Sequence, residues 1–378
     1  MLLKFFRPLL WLIDMIVHDK IGPGKLLEFY DPKNNFHGFL VIDNTVLGPG
    51  KGGLRITKTV SLEEVFRLAR IMTYKCTMAD LPLGGAKSGI ALDTKTQDKT
   101  KAIQWFAKQI KPYVSDQYIP GPDMSTTEKD MDIICNEIGS NNAATGKTLD
   151  RGGLPHELGS TGFGVVKSAL AAAEHLGIDI SETTIAIEGF GVVGIATAKF
   201  ASENGAKIVA VSDSKGTIHN PKGINVDDLI KIKKETGSVT NYHESRILKT
   251  TDLFTLPVDV LIPGAVPDVI NENNVNEIKT KIIVEAANIP MSLKTEALLH
   301  KRGILVIPDF VANAGGVISS YCEMKNITKP TPQSVIDNMF KIVDETITKN
   351  TKEILKHITE TKSPRNFAME IVKKKLGI

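Results

Sequence analysis

Three lysines stand in or beside glycine-rich stretches, a setting suited to small carboxylates. Lys51 lies within Gly48-Pro49-Gly50-Lys51-Gly52-Gly53, Lys87 within Leu83-Gly84-Gly85-Ala86-Lys87-Ser88-Gly89, and Lys75 near the end of a helical segment between them. At about 100° per residue, Lys75 falls beside Leu68 on the flank of that segment's apolar face. An ammonium there must find a partner, snorkel to water or lose its charge, because burying it unpaired is expensive. A bound carboxylate is a fitting partner. Lys87 is hemmed by glycines that let backbone and ligand approach. Partly desolvated and near other ammonium groups, it would have a lowered pKa and act as a base near neutral pH; otherwise it is an ordinary loop lysine. Asp123, in Gly121-Pro122-Asp123, precedes a helix start, where an aspartate either relays protons or caps a turn.

A second constellation binds phosphate. Gly189, Gly191 and Gly194 have the spacing G-x-G-x-x-G, directly after a strand at Thr184 to Glu188 and before a helix at Val192 to Asn204. That context, rather than the glycines alone, marks a dinucleotide site in which a pyrophosphate meets the positive end of the helix. Asp213 ends the next strand, where an acidic residue accepts the ribose 2′-hydroxyl of NAD. Ser214 and Lys215 follow it and would instead hold the 2′-phosphate of NADP. The signals conflict, and the balance leans slightly to NADP over NAD.

The elements that must carry these residues fall into two α/β parts. From Leu26 to about Asp93 the chain reads as strands and turns around one helix, opened by a capping signature at Ser61 and Glu64, with Val65, Leu68, Ala69, Met72 and Cys76 at helical spacing. A second capping pair, Ser125 and Glu128, predicts a helix to about Glu137. From about Thr161, apolar runs at Thr184–Glu188, Lys207–Ser212, Val258–Pro263, Ile282–Glu285 and Ile304–Pro308 alternate with helical segments. Strands separated by helices imply parallel pairing and a doubly wound sheet. From about Pro332 the tail reads as wholly helical and is expected to pack back across the first part.

Bulk properties narrow the partners. A chain of 378 residues favours two domains, and 42% hydrophobic with 24% charged residues describes a folded protein. With 46 basic and 43 acidic side chains the net charge is +3, so nothing demands nucleic acid. The Lys373 to Lys375 run suits a terminal helix dipole. Three scattered cysteines form neither a disulfide framework nor a metal cluster, so no metal is expected and a reducing, cytoplasmic setting fits. Lys4 and Arg7 followed by Pro8 to Val17 imitate a secretory signal, but Asp14 interrupts the run, which is also far short of the roughly 20 residues that span a bilayer. It reads as an amphipathic helix packed on the domain or a neighbouring subunit.

The motifs GPGKGGLR (Gly48 to Arg55), MTYK with LPLGGAKSG (Met72 to Gly89), GPDMSTT (Gly121 to Thr127), GSTGFGV (Gly159 to Val165), EGFGVVG (Glu188 to Gly194) and PDFVANAGGV (Pro308 to Val317) resemble, in this order, the glutamate, leucine, phenylalanine and valine dehydrogenase family. The resemblance implies a mixed α/β substrate-binding and oligomerisation domain over 1–155, a Rossmann NAD(P)-binding domain over 156–349 and a helical return over 350–378, within a homo-oligomer, a hexamer in many members. It implies that Lys75 holds the substrate α-carboxylate, that Lys87 activates water, that Asp123 shuttles protons, and that Thr161, Asn288 and Asn313 surround the nicotinamide and its ribose. Glutamate-specific members are similar in carrying a lysine at Lys51 and a serine at Ser320. An ammonium plus a hydroxyl suits a second carboxylate and would be left unsatisfied by an apolar side chain. The expected reaction is therefore oxidative deamination of L-glutamate to 2-oxoglutarate and ammonia. A branched-chain or aromatic amino acid dehydrogenase is the rival, and a non-catalytic nucleotide-binding regulator the second. Asn35 to Leu47 and Thr126 to Ile134 look more like leucine dehydrogenases, and Glu157 stands where many glutamate-specific members carry arginine.

Overall fold

The computed structural model describes residues 16–326 and 328–378. Of the helix expected over Pro8 to Val17, only Ile16 and Val17 lie within them, and neither is helical. The first part is built on a five-stranded sheet of β1 (Lys25–Asp31), β2 (Phe36–Asn44), β3 (Gly50–Thr57), β4 (Gly84–Ala91) and β5 (Tyr118–Pro122), in the order β1-β2-β4-β3-β5. Strands β1, β2 and β4 pair antiparallel, whereas β3 lies parallel to both β4 and β5. Successive side chains of a strand face opposite ways. On β2, Leu40 and Ile42 accordingly join Phe106 of helix α2 (Lys99–Ile110) and Met131 of helix α3 (Glu128–Ile138). Phe39 and Val41 face the opposite side, where they meet Val65 and Ala69 of α1 (Leu62–Met78).

That alternation places the chemistry. Leu54 and Ile56 of β3 enter the α2 and α3 core, so Lys51, Gly53 and Arg55 lie on the other face; on β4, Ala86 and Ile90 leave Lys87 on the same side. Helix α1 can settle there because Gly85 and Gly89 have no side chains. A Cβ on Gly85 would stand 2.1 Å from the Thr73 nitrogen, and one on Gly89 would stand 2.8 Å from Val60. Ser61 caps α1 by accepting the Glu64 amide, but the Glu64 carboxylate turns to Arg55 instead of closing the box. The cap of α3 falls two residues later than the sequence indicates. Thr127 and Asp130 form the box, and Ser125, at φ +61°, belongs to the preceding turn.

The second part is a seven-stranded sheet ordered β12-β11-β10-β6-β7-β8-β9. Its parallel core is β6 (Thr184–Glu188), β7 (Lys207–Asp213), β10 (Val260–Pro263), β11 (Ile282–Val284) and β12 (Leu305–Ile307), the five runs expected from the sequence. Strands β8 (Gly216–His219) and β9 (Arg246–Leu248) extend it antiparallel and were not legible in advance. Helices α4 (Ser160–His175) and α5 (Val192–Glu203) cover one face through Val165, Ala169, Ala172 and Ala198. Helix α6 (Val226–Thr236) packs at its edge through Leu229. Leu299 of α7 (Leu293–Lys301) packs on the other face. Short helix α8 (Asp309–Ala312) leads into α9 (Gly315–Lys325).

Beyond Pro332 the chain is helical, α10 (Gln333–Leu355) followed by α11 (Pro364–Leu376). Met339, Val343 and Ile347 of α10 join Ile318 of α9 and Cys76, Leu83 and Ile119 of the first part in one core. Helix α11 lies against the end of α1, where Lys375 pairs with Asp80 at 2.6 Å. Among the described residues, no helix is long and apolar enough to cross a membrane, and no acidic, histidine or cysteine group is arranged for a metal.

Candidate active site

The two sheets face each other across a cleft of about 1010 Å³. Lys51, Lys75, Lys87, Asp123, Thr161, Gly189, Gly191, Gly194, Asp213, Ser214, Asn288, Asn313 and Ser320 all line it. Lys215 does not: its side chain is exposed, and Lys233 of α6 occupies that end of the cleft instead.

All three lysines are buried. Lys51 is 3% exposed, Lys75 6% and Lys87 4%. Desolvation disfavours their charged forms and pulls Lys51 and Lys75 from 10.5 to about 8 and lowers Lys87 as well. Their surroundings differ. Lys75 donates to Asn288 Oδ1 at 3.0 Å, an oxygen that also accepts from Asn313 Nδ2 at 3.1 Å, and the nearby Asp309 carboxylate favours its charge. Lys87 sits 3.0 Å from Asp123 Oδ2. Lys51 has no ion-pair partner among the described residues, although the neighbouring cations Lys87 and Lys147 are paired with Asp123 and Glu323. Gly121 leaves room for it, since a Cβ there would stand 2.5 Å from Lys51 Nζ.

Sequence reasoning passed over Arg55. Its Nε donates to Asp123 Oδ2 at 2.8 Å and its Nη1 to Glu64 Oε1 at 2.7 Å. Burial pushes the Asp123 carboxyl up, but the Lys87 and Arg55 cations outweigh it and hold the group far below the usual carboxylate range. Asp123 is therefore anionic throughout the neutral range. The alternation Lys51-x-Gly53-x-Arg55 on one strand carried the signal for Arg55. His156 also lines the cleft, with its pKa lowered by burial, so it is neutral near pH 7. Glu157, exposed, lines the cleft beside it.

The opposite wall fits a dinucleotide. Gly189 turns the chain at φ +92°, and a Cβ on Gly194 would stand 1.9 Å from the Gly189 carbonyl oxygen. Gly191, the N-cap of α5, has no atom within 4 Å of its missing Cβ, and no side chain caps the helix. The first-turn amides of α5 thus face open space, as a pyrophosphate requires. Asp213 is already engaged: it accepts from Lys233 Nζ at 2.7 Å, the Val239 amide at 2.8 Å and the Lys215 amide at 2.8 Å. Burial opposes its charge, yet these donors lower its pKa. Little acceptor capacity remains for ribose hydroxyls, while the Lys233 ammonium and the exposed Ser214 hydroxyl stand at the same end.

Such a cleft brings a dinucleotide against a small acid, which is the arrangement of a nicotinamide-dependent dehydrogenase. Residues 152–375 match the Glutamate/Leucine/Phenylalanine/Valine dehydrogenase family, and residues 23–140 match the Glu/Leu/Phe/Val dehydrogenase, dimerisation domain. The chain belongs to this family. It is 37% identical over 345 residues to a glutamate dehydrogenase of Aeropyrum pernix, covering 88% of this chain and 82% of the relative. It is 40% identical over 301 residues to an NADP-specific glutamate dehydrogenase of Saccharolobus shibatae, covering 77% of this chain and 71% of the relative. Among solved structures, the hetero-hexameric glutamate dehydrogenase from Thermus thermophilus (Leu bound form) superposes with a TM-score of 0.84 at 26% identity, covering 94% of this chain and 88% of that one.

Proposed function

We propose that this protein interconverts L-glutamate with 2-oxoglutarate and ammonia, using NADP(H) in preference to NAD(H). The observation that carries the reading is Lys51, a buried ammonium that has no ion-pair partner among the described residues and shares the cleft with Lys75 and Lys87. A buried charge without a partner is costly, and a second substrate carboxylate removes that cost. An apolar substrate would leave it in place, which argues against the branched-chain and aromatic alternatives. In this reading Lys75 grips the α-carboxylate, and Lys51 with Ser320 grips the distal one.

When bound, the nicotinamide supplies the acceptor for the hydride that leaves the substrate Cα. Lys87, whose pKa burial lowers, takes a proton from the water that attacks the resulting iminium carbon, and ammonia leaves. Asp123, fixed as an anion by Arg55 and Lys87, accepts the proton that the substrate ammonium must lose for hydride departure to leave an iminium. It can carry a proton only when Lys87 has given up its own charge, so the two work as one unit. Of the residues lining the cleft, Thr161, Asn288 and Asn313 would hold the nicotinamide end of the cofactor, the glycines of 189–194 its pyrophosphate, and Ser214 and Lys233 a 2′-phosphate, in keeping with the NADP-specific name of one relative.

We assign the substrate domain to residues 1–155 and the nucleotide domain from 156 on; because α10 runs unbroken from Gln333 to Leu355, the helical return expected over 350–378 begins with that helix instead. Assembly into an oligomer is supported by the dimerisation-domain match and by the hetero-hexameric glutamate dehydrogenase of Thermus thermophilus, the homo-oligomer being our reading, and a cytoplasmic setting by the free thiols Cys76, Cys135 and Cys322. Oxidation of NADPH and NADH is to be followed with ammonium and either 2-oxoglutarate or 4-methyl-2-oxopentanoate. Preference for the latter acid refutes the glutamate reading, and no turnover with any 2-oxo acid refutes catalysis.

A further inference from the structure

A buried charge cluster lies outside the cleft, and of its members only Asp309, whose carboxylate favours the charge of Lys75, bears on the reaction described above. Arg365, on α11, spreads its guanidinium over three carboxylates: Nε donates to Glu296 Oε2, Nη1 to Asp309 Oδ1 at 3.2 Å and Nη2 to Glu285 Oε2 at 2.6 Å. The four residues are between 0% and 8% exposed. Three acids around one cation are more than burial alone would favour, and Glu285 Oε1 and Glu296 Oε1 find no hydrogen-bond partner among the described residues. Such a cluster needs a reason to persist.

Its connections supply one. The second oxygen of Asp309 accepts the Ile289 amide at 2.9 Å. Ile289 has φ +53°, a conformation that a β-branched residue rarely adopts, and it directly follows Asn288, whose Oδ1 receives both Lys75 and Asn313. The same guanidinium lies 5.4 Å from the Phe310 ring centroid, and Phe310 meets Tyr74, the neighbour of Lys75, edge to face at 5.6 Å. Two routes therefore run from Arg365 to the Lys75–Asn288 contact, one on each side of the cleft.

We propose that Arg365 and Asp309 are positioning residues that hold the left-handed turn at Ile289 and thereby set Asn288 against Lys75. A carboxylate at 309 can accept from Arg365 and from the Ile289 amide at once. An amide there accepts from one and turns its own N–H groups toward the other. The inference rests on the reading of Lys75 as the grip on the substrate α-carboxylate.

The test combines kinetics with amide hydrogen exchange in the full-length protein. In Asp309→Asn, exchange in the peptide containing Ile289 accelerates, and KM for the preferred 2-oxo acid rises about tenfold, the value of one lost hydrogen bond, with kcat changed less. Arg365→Lys, which keeps the charge but not the fork, moves both readouts the same way. Glu296→Gln, which touches Arg365 but not Ile289, leaves both near wild type. In an Ile289→Gly background the conformation needs no anchor, so the Asp309→Asn effect on KM shrinks below about threefold. Equal KM changes in Asp309→Asn and Glu296→Gln, unchanged exchange at Ile289, or simple multiplication of effects in the Ile289→Gly background each overturn the proposal. Wild-type protein that turns over no 2-oxo acid refutes the catalytic reading instead and leaves the exchange result standing.

Discussion

Replacing Lys51 with methionine separates binding energy from stability, because the two should move in opposite directions. The Lys51 ammonium is buried and has no ion-pair partner among the described residues, and its pKa falls from 10.5 to about 8. At about 1.4 kcal/mol per pH unit, that drop corresponds to a desolvation cost of about 3 kcal/mol at neutral pH, to order of magnitude. Methionine fills similar space without charge, so Lys51→Met should melt higher than wild type. In the complex, the same change leaves a buried substrate carboxylate unpaired, which costs about 3–5 kcal/mol. Some of this is recovered through Ser320 and water, so kcat/KM for 2-oxoglutarate should fall about 10²- to 10³-fold, while 4-methyl-2-oxopentanoate is used as well as before or better. Gly121→Ala should produce a milder version, because its Cβ would displace the ammonium from 2.5 Å away. Thermal melts and steady-state kinetics on both acids decide the matter. Equal losses on the two acids, or a lower melting temperature with 2-oxoglutarate activity intact, would refute the reasoning.

Lys87→Ala should retain NADPH binding, read by fluorescence quenching, and lose most turnover at saturating substrate, since its step is chemical; normal kcat would remove Lys87 from the mechanism. Binding of 2-oxoglutarate should take up protons around pH 8.5. Lys51 and Lys75 are partly neutral there, with pKa values near 8, and paired carboxylates raise both; calorimetry in buffers of different ionisation enthalpy should find uptake that fades toward pH 6.5. The stability sign follows the same groups. Their folded pKa lies below the unfolded one, so the unfolded chain binds more protons between about 8 and 10.5, and their contribution to stability should rise with pH across that window in urea titrations. Lys233→Ala should weaken NADPH much more than NADH, and an equal loss for both would place the 2′-phosphate elsewhere.

Much of this fold is written locally. The parallel strands are continuous apolar runs because helices bury both faces of the sheet, and α5 follows a glycine turn whose spacing is itself diagnostic. Strands β8 and β9 escape such reading. They are four and three residues long, and Ile247 is 60% exposed, so neither shows a period. The α3 cap was ambiguous because Ser125-x-x-Glu128 and Thr127-x-x-Asp130 overlap, and only backbone geometry chooses between them. At the cleft, the glycine-flanked lysines were visible as types in a pattern. Lys233, 20 residues after Asp213, was not, because strand β8 lies between them, Lys233 belongs to the helix that follows it, and the pairing is tertiary. The Arg365 cluster gathers acids from α7, α8 and the end of β11 onto α11, and no sequence spacing encodes that meeting.

A structure of the protein with NADPH and 2-oxoglutarate tests the central claim most directly. It should place one carboxylate of the acid about 3 Å from Lys75 Nζ and the other about 3 Å from Lys51 Nζ, with C2 facing the nicotinamide. A distal carboxylate directed into solvent, with Lys51 still unpartnered, would contradict it.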